Sequence, residues 1–300
     1  MDLKKEELIK SPLNYTGGKY KLLPQILPHF PDEIDTFYDL FCGGCDVGIN
    51  VKANKVVCND ILKQLIELLK YWSVNEYSFL HNEIKNIIKE YNLSDSSTNG
   101  YNFYNCNSND GLSKYNNSQW SKLREDYNVS KSIKLLFPLI IYTFNNNIKF
   151  DESGKFVAGG CNKRDYNKNI QNNFKKFIKK ISKIDIDFLN SDFKNLYISN
   201  NSNNFVYCDP PYLIGKATYN KNWNKEKEKE LLEFLDKLNS KGTRFALSNV
   251  LESKGKSNDI LKDWSKKYKI IHLNNTYGNC NYHTKDKSKN STDEVLIINY

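Results

Sequence analysis

Apolar residues fall into short clusters separated by long polar tracts. Residues 36–41 form one apolar run, ending at Cys42-Gly43-Gly44, and residues 55–60 form a second. Both are short and rich in β-branched or aromatic side chains, which predicts strands. Over residues 61–72, Ile61, Leu62, Leu65, Ile66, Leu68 and Leu69 recur at helical spacing, which predicts a helix. Residues 205–208 predict a third strand, stopped by Pro210 and Pro211. A helix over 225–238 and a strand over 244–247 follow, and 269–273 and 294–299 read as the last two strands. Strands alternating with helices predict a parallel, doubly wound α/β sheet.

The middle of the chain reads differently. Residues 74–184 carry polar tracts rich in Gly and Asn, such as 94–118, around helical stretches at 118–127 and 132–144. This predicts an inserted, mostly helical lobe over residues 73–186, with 1–72 and 187–300 building the sheet domain. The lobe turns basic late, at Lys163, Arg164, Lys168, Lys175, Lys176, Lys179, Lys180 and Lys183. That run is either a solvated helix face or a surface facing phosphates.

The chain has 300 residues, with 44 Lys and Arg against 35 Asp and Glu, for a net charge of +9. At 39% hydrophobic and 13% aromatic it can build a core, which argues against a chain disordered throughout. Asn fills 42 positions, and Lys and Ile are abundant. Codons biased toward A and T produce that pattern without selection on function, so charge alone does not decide for a nucleic-acid partner. The longest strong apolar run, residues 135–142, is too short to span a bilayer. The first ten residues contain no apolar signal-peptide core, and seven Cys without such a signal predict reduced thiols and a cytoplasmic location.

Asp209-Pro210-Pro211-Tyr212, directly after an apolar strand, is the most specific motif. Open α/β sheets bind ligands at the carboxyl ends of their strands. Two prolines fix φ and remove two donors, so the turn offers acceptors beside an aromatic face. Such an array suits an exocyclic amino group on a planar base: Asp209 and the Pro210 carbonyl accept its hydrogens and Tyr212 stacks. Asp39-Leu40-Phe41-Cys42-Gly43-Gly44 ends the first strand with a glycine pair that lets a ligand approach the backbone. It is not G-x-G-x-x-G, which disfavours a nicotinamide dinucleotide. Asp60, ending the next strand, can accept from both hydroxyls of a ribose. Asn14-Tyr15-Thr16-Gly17-Gly18-Lys19 resembles a P-loop only superficially, because Leu13 and Tyr20 occupy the slots that need Gly and Ser or Thr. Cys42 and Cys45 form a C-x-x-C without a second pair, which disfavours zinc or any other metal. His29, His81, His272 and His283 show no ligand spacing and read as structural.

Together these motifs (residues 39–44, 58–60, 191–193, 209–212 and 245–249) resemble the Dam-type, alpha-ordered D12 class of DNA adenine-N6 methyltransferases. The likeness covers most of the chain and is strong to phage members of the family. The stretches 207–251 and 264–300 share it, and residues 14–19 match the family's N-terminal motif. It implies a Rossmann-like methyltransferase sheet that uses S-adenosylmethionine, with an inserted target-recognition domain that binds double-stranded DNA and flips an adenine. A cognate restriction endonuclease is a possible partner in such systems. By position, Tyr15, Thr16, Gly17 and Lys19 would meet the methionine end of the cofactor. Asp39, Phe41, Cys42, Gly43, Gly44 and Asp209 would line it, Asp60 would hold the ribose, and Asp192 and Phe193 would meet its adenine. Asp209, Pro210, Pro211 and Tyr212 would hold the target, with Tyr219 near the flipped nucleotide. Asn146, Asn147, Lys149, Lys163 and Arg164 would contact DNA. The chain departs from the family at Lys149, where an Arg that reads guanine is expected, and in the turn over 157–162, which lacks a Pro. A Lys donates to guanine acceptors without the planar fork. GATC is the site the resemblance implies. Open alternatives are a catalytically silent DNA-binding module of the same fold and an enzyme methylating amino groups of RNA or cytosine.

Overall fold

A computed structural model describes residues 8–106, 111–199, 201–215, 223–274 and 292–300. In chain order these form α1 (Leu23–Ile26), β1 (Thr36–Asp39), β2 (Lys55–Asn59), α2 (Lys63–Ser73), α3 (Tyr77–Glu90), α4 (Ser96–Asn99) and α5 (Ser113–Ser130). Then come α6 (Ile133–Tyr142), α7 (Lys168–Ile181), β3 (Ile186–Leu189), β4 (Phe205–Cys208), α8 (Lys225–Ser240) and β5 (Arg244–Ser253). The short β6 (Lys256–Ser257), α9 (Asp259–Ser265), β7 (Lys269–Leu273) and β8 (Thr292–Ile298) complete the chain.

One sheet holds all the strands of the described residues in the order β3-β2-β1-β4-β5-β8-β7, with β6 pairing beside β5. The first five strands run parallel. β4 is buried along its whole length and β1 nearly so, as expected of strands covered on both faces. The chain winds outward from β1 through β2 to β3, then returns to lay β4 on the other side of β1. That reversal makes the carboxyl ends of β1 and β4 a topological switch point, where such sheets form their binding crevice.

One of the last two strands departs from the parallel sheet that the alternating pattern predicts, while β7 keeps the direction of β5. β8 inserts antiparallel between β5 and β7. β5 also runs on to Ser253, past the stretch expected. The predicted helix at 61–72 begins instead at Lys63. The Leu62 amide donates to the Asp60 carboxylate, and Ile61 is left 70% exposed. Both departures at residues 60–62 therefore place polar and apolar groups beside the crevice.

Helices α3, α5, α6 and α7 build the lobe inserted between β2 and β3. α7 starts where the Asn167 side chain accepts from the amides of Asn169 and Ile170, satisfying donors the helix cannot. It buries Phe174, Phe177, Ile178 and Ile181 and turns Lys175, Lys176 and Lys179 to solvent, so the basic run is the outer face of an amphipathic helix. The core is continuous from sheet to lobe. Trp72, at the end of α2, makes the junction, with its ring 4.8 Å from Phe137, 5.0 Å from Phe174 and 5.8 Å from Phe177. Replacing this buried indole by Ala removes the contact shared by three helices. Trp72→Ala is expected to lose about 3–5 kcal/mol of stability, read from the midpoint of urea unfolding.

Candidate active site

The turn after β1 is closed by the Cys42 amide, which donates to the Asn59 carbonyl at 2.8 Å. Gly43 sits at φ +47°, and a Cβ there would lie 2.9 Å from the Tyr15 ring. At Gly44 a Cβ would come within 3.2 Å of Ser11 and Tyr15, and at Gly18 within 2.9 Å of the Asp46 carboxylate. The glycines thus let the N-terminal segment 14–19 lie directly on the β1 turn. Asp60 braces the same turn from β2, accepting from the Gly43 amide at 3.0 Å and from Leu62 at 2.9 Å. Its burial pushes its pKa up. Asp46, buried beneath the loop, accepts from the Ser11 amide at 2.8 Å, and burial raises its pKa to about 6. Asp39 is almost wholly buried, its Oδ1 has no hydrogen-bond partner, and burial holds its pKa well above the usual carboxylate range.

The turn after β4 carries the second half. Lys19 is 5% exposed, and its ammonium donates to Asp209 Oδ2 at 2.6 Å and to the Gly17 carbonyl at 3.1 Å. The Tyr212 hydroxyl lies 3.2 Å from Asp209 Oδ1 and 3.0 Å from Glu294 Oε1. Glu294, on β8, is 1% exposed and also 3.7 Å from the Lys19 ammonium. Burial raises the pKa of Asp209 and the charge of Lys19 opposes that rise. The two halves open into one cavity of about 390 Å³.

Fifteen of the residues expected at the site line that cavity: Tyr15, Thr16, Gly17 and Lys19, then Asp39, Phe41, Cys42, Gly43, Gly44 and Asp60, then Asp209 to Tyr212, and Lys149. Asp192 and Phe193 lie one strand over and do not line it. Asp192 caps a short helical turn through the Lys194 amide, and Phe193 is buried with its ring 5.5 Å from Phe41. Asn146 spends its side-chain amide on the carbonyls of Ile140 and Ile141, at a left-handed backbone position. Asn147, Lys163 and Arg164 are exposed on the lobe. Tyr219 lies outside the described residues.

The sequence reading passed over Glu294, Asp46 and Ile61, and it did not anticipate that the lobe reaches the cavity. Bridges Thr143–Cys161 and Phe150–Phe156 close an extended loop between α6 and α7, and Ile148, Lys149 and Phe150 from it form part of the wall. Lys149 therefore lines the same cavity as the β1 turn. The C-x-x-C resolves into three buried thiols, with Cys45 Sγ 3.1 Å from Cys58 Sγ. Among the described residues no cluster of ligands suits a metal, and no helix is long and apolar enough to cross a membrane.

Comparison with known proteins gives the family. The profile of the D12 class N6 adenine-specific DNA methyltransferases matches residues 15–279. Type II methyltransferase M.FokI of Planomicrobium okeanokoites is 40% identical over 99% of this chain and 44% of its own length. Modification methylase StsI of Streptococcus sanguinis is 39% identical over 98% of this chain and 43% of its own. Type II methyltransferase M1.LlaDCHI of Lactococcus lactis subsp. cremoris is 24% identical over 95% of this chain and 94% of its own. The chain thus spans under half the length of the first two relatives. With the profile covering most of the chain and the motifs gathered around one crevice, this protein belongs to the D12 class of N6 adenine-specific DNA methyltransferases.

Proposed function

We propose that the chain transfers a methyl group from S-adenosylmethionine to the N6 amino nitrogen of an adenine in double-stranded DNA. The observation that carries this reading is the single cavity joining the Asp209–Tyr212 acceptor turn to the glycine turn braced by Asp60. The cofactor fits the residues present. Asp39 Oδ1 is a buried acceptor in want of a donor, which the ammonium of the cofactor's methionine end supplies. Gly43 and Gly44 leave space that any side chain would fill. Asp60 is held ready to accept from the ribose hydroxyls, and exposed Ile61 beside it offers an apolar surface for the adenine, with Phe41 and Phe193 nearby. Tyr15, Thr16, Gly17 and Lys19 close the methionine end.

When bound, S-adenosylmethionine supplies an electrophilic methyl group on a sulfonium. The protein's task lies with the acceptor. The amino nitrogen of adenine is a weak nucleophile because its lone pair is delocalised into the ring. Asp209 and the Pro210 carbonyl accept its hydrogens and favour a more tetrahedral nitrogen, while Tyr212 stacks on the base. Holding that nitrogen in line supplies much of the acceleration. The nitrogen turns cationic on transfer and sheds its proton readily, so Asp209 acts as acceptor and positioner more than as a strong base. The target must leave the duplex stack, at a cost of a few kcal/mol.

Residues 73–186 serve as the target-recognition lobe in this reading. Asn147, Lys149, Lys163 and Arg164 supply contacts from its exposed face and from the loop over 144–161, with Asn146 shaping that loop. GATC is the proposed site. A cognate restriction endonuclease is the proposed biological partner, in keeping with the modification methylases among the relatives.

Plasmid from a host without adenine methylation, incubated with the chain and S-adenosylmethionine and mapped by single-molecule sequencing, should carry N6-methyladenine at GATC. Methyladenine at another motif overturns the site and keeps the chemistry; modified RNA or cytosine, or no modification with cofactor bound, overturns the chemistry. Asp209→Ala should lower the transfer rate by about 10²–10³-fold with DNA binding retained, as read by single-turnover kinetics and a DNA-binding titration. Asp60→Ala should weaken cofactor binding about 10–100-fold, the worth of charge-assisted hydrogen bonds, as read by calorimetry.

A further inference from the structure

Glu294 heads the apolar run of β8, between Asp293 at the surface and buried Val295 to Ile298. A carboxylate so placed is costly to bury and needs partners. Opposite it on the neighbouring strands are Val250 and Leu273, both apolar. Its polar neighbours include the Lys19 ammonium at 3.7 Å and the Tyr212 hydroxyl at 3.0 Å. That hydroxyl is also 3.2 Å from Asp209 Oδ1. A phenol carries one proton, so it serves one of the two carboxylates at a time. Lys19 meanwhile occupies Asp209 Oδ2.

We propose that Glu294 is a positioning residue that draws the Tyr212 hydroxyl proton away from Asp209, leaving Asp209 Oδ1 open to accept from the amino group of the target adenine. This rests on the methyltransferase reading above. Without Glu294 the Tyr212 proton settles on Asp209, because a carboxylate is a stronger acceptor than a neutral amide. The acceptor oxygen is then occupied when the base arrives.

The same geometry links Glu294 to the titration of Asp209. Among the described residues the groups facing Asp209 are Lys19 from the N-terminal loop, Tyr212 from its own turn, Tyr207 and Cys208 from β4, Asp39 from β1 and Glu294 from β8. Glu294 faces Lys19, Tyr212 and Tyr207, while Asp293 beside it pairs with His272 at the surface. The negative charge of Glu294 raises the pKa of Asp209, and the Tyr212 hydrogen bond lowers it. Asp209 must be ionised to accept, so activity falls as pH drops through its pKa.

The test compares the wild-type chain, Glu294→Gln, Tyr212→Phe and the double variant in kcat, KM for DNA and pH profile. Calorimetric binding of S-adenosylmethionine verifies that each variant is folded. Glu294→Gln should lower kcat about tenfold, the effect of one misdirected hydrogen bond, with KM little changed. Its acid limb should move to lower pH, while that of Tyr212→Phe moves to higher pH. In the Tyr212→Phe background the Glu294→Gln loss should shrink, since the competing hydroxyl is gone. Equal losses in both backgrounds, or an acid limb that stays in place, overturn the proposal while leaving the methyltransferase reading intact. A wild-type chain that binds the cofactor and methylates no adenine overturns both.

Discussion

The contact between the Lys19 ammonium and the Asp209 carboxylate joins residues 190 positions apart. Everything at the crevice depends on it. Lys19 comes from a loop with no strand or long helix of its own, and Asp209 ends the most buried strand of the sheet. A buried pair of this kind is a poor source of net stability, because desolvating both charges offsets their attraction. Its value is in register. A lysine with its charge out of water must find its carboxylate, and in doing so it seats segment 14–19 on the glycine turn after β1. Loss of either partner strands a charge in the interior, which is far more costly than the intact pair is favourable.

Around that pair the protein concentrates acids in a way that opposes its own stability. Asp39, Asp46, Asp60 and Asp209 cluster within one crevice, and burial raises the pKa of each. Asp60 and Asp46 are paid back in part by backbone amides, whereas Asp39 keeps an oxygen without a donor. Strain of this type persists where surrounding structure over-determines it and where a ligand relieves it. The glycines belong to the same close packing: a Cβ at Gly18 would press on the Asp46 carboxylate and one at Gly43 on the Tyr15 ring.

The parts of this site that were legible in the sequence are those where local chemistry is loud. Two prolines and an acid after an apolar strand allow few readings, and a glycine pair at a strand end marks a close approach. These motifs hold fourteen of the residues that line one cavity. Glu294 escaped notice because an acid at the head of a strand reads as a solvated end; its burial comes from β5 and β7, which flank it across the sheet. The antiparallel direction of β8 escaped for a related reason, since apolar runs of this length carry no sign of direction. β3 has only four residues, two of them exposed, and so shows no apolar run. Residues 144–161 looked like a DNA-reading loop alone because their sequence holds no hint that Ile148 and Phe150 pack toward the crevice.

That last placement changes how the two halves of the molecule relate. The loop is tied at its base by the Thr143–Cys161 bridge and near its tip by Phe150–Phe156, with the Phe150 and Phe156 rings 5.4 Å apart. It is therefore a braced arm and not a free one, and it extends from a lobe whose core is continuous with that of the sheet through Trp72. An arm so braced cannot adjust to a nucleic acid without moving Ile148, Lys149 and Phe150 at the cavity wall. Under the proposed function, recognition and chemistry share a surface. In that reading a flipped base is held correctly only when the lobe that reads its neighbours is seated, so a wrong sequence disturbs the acceptor side of the crevice as well as the groove contacts. Discrimination can then appear in the rate of transfer as well as in binding, which is how an enzyme gains selectivity beyond what affinity supplies.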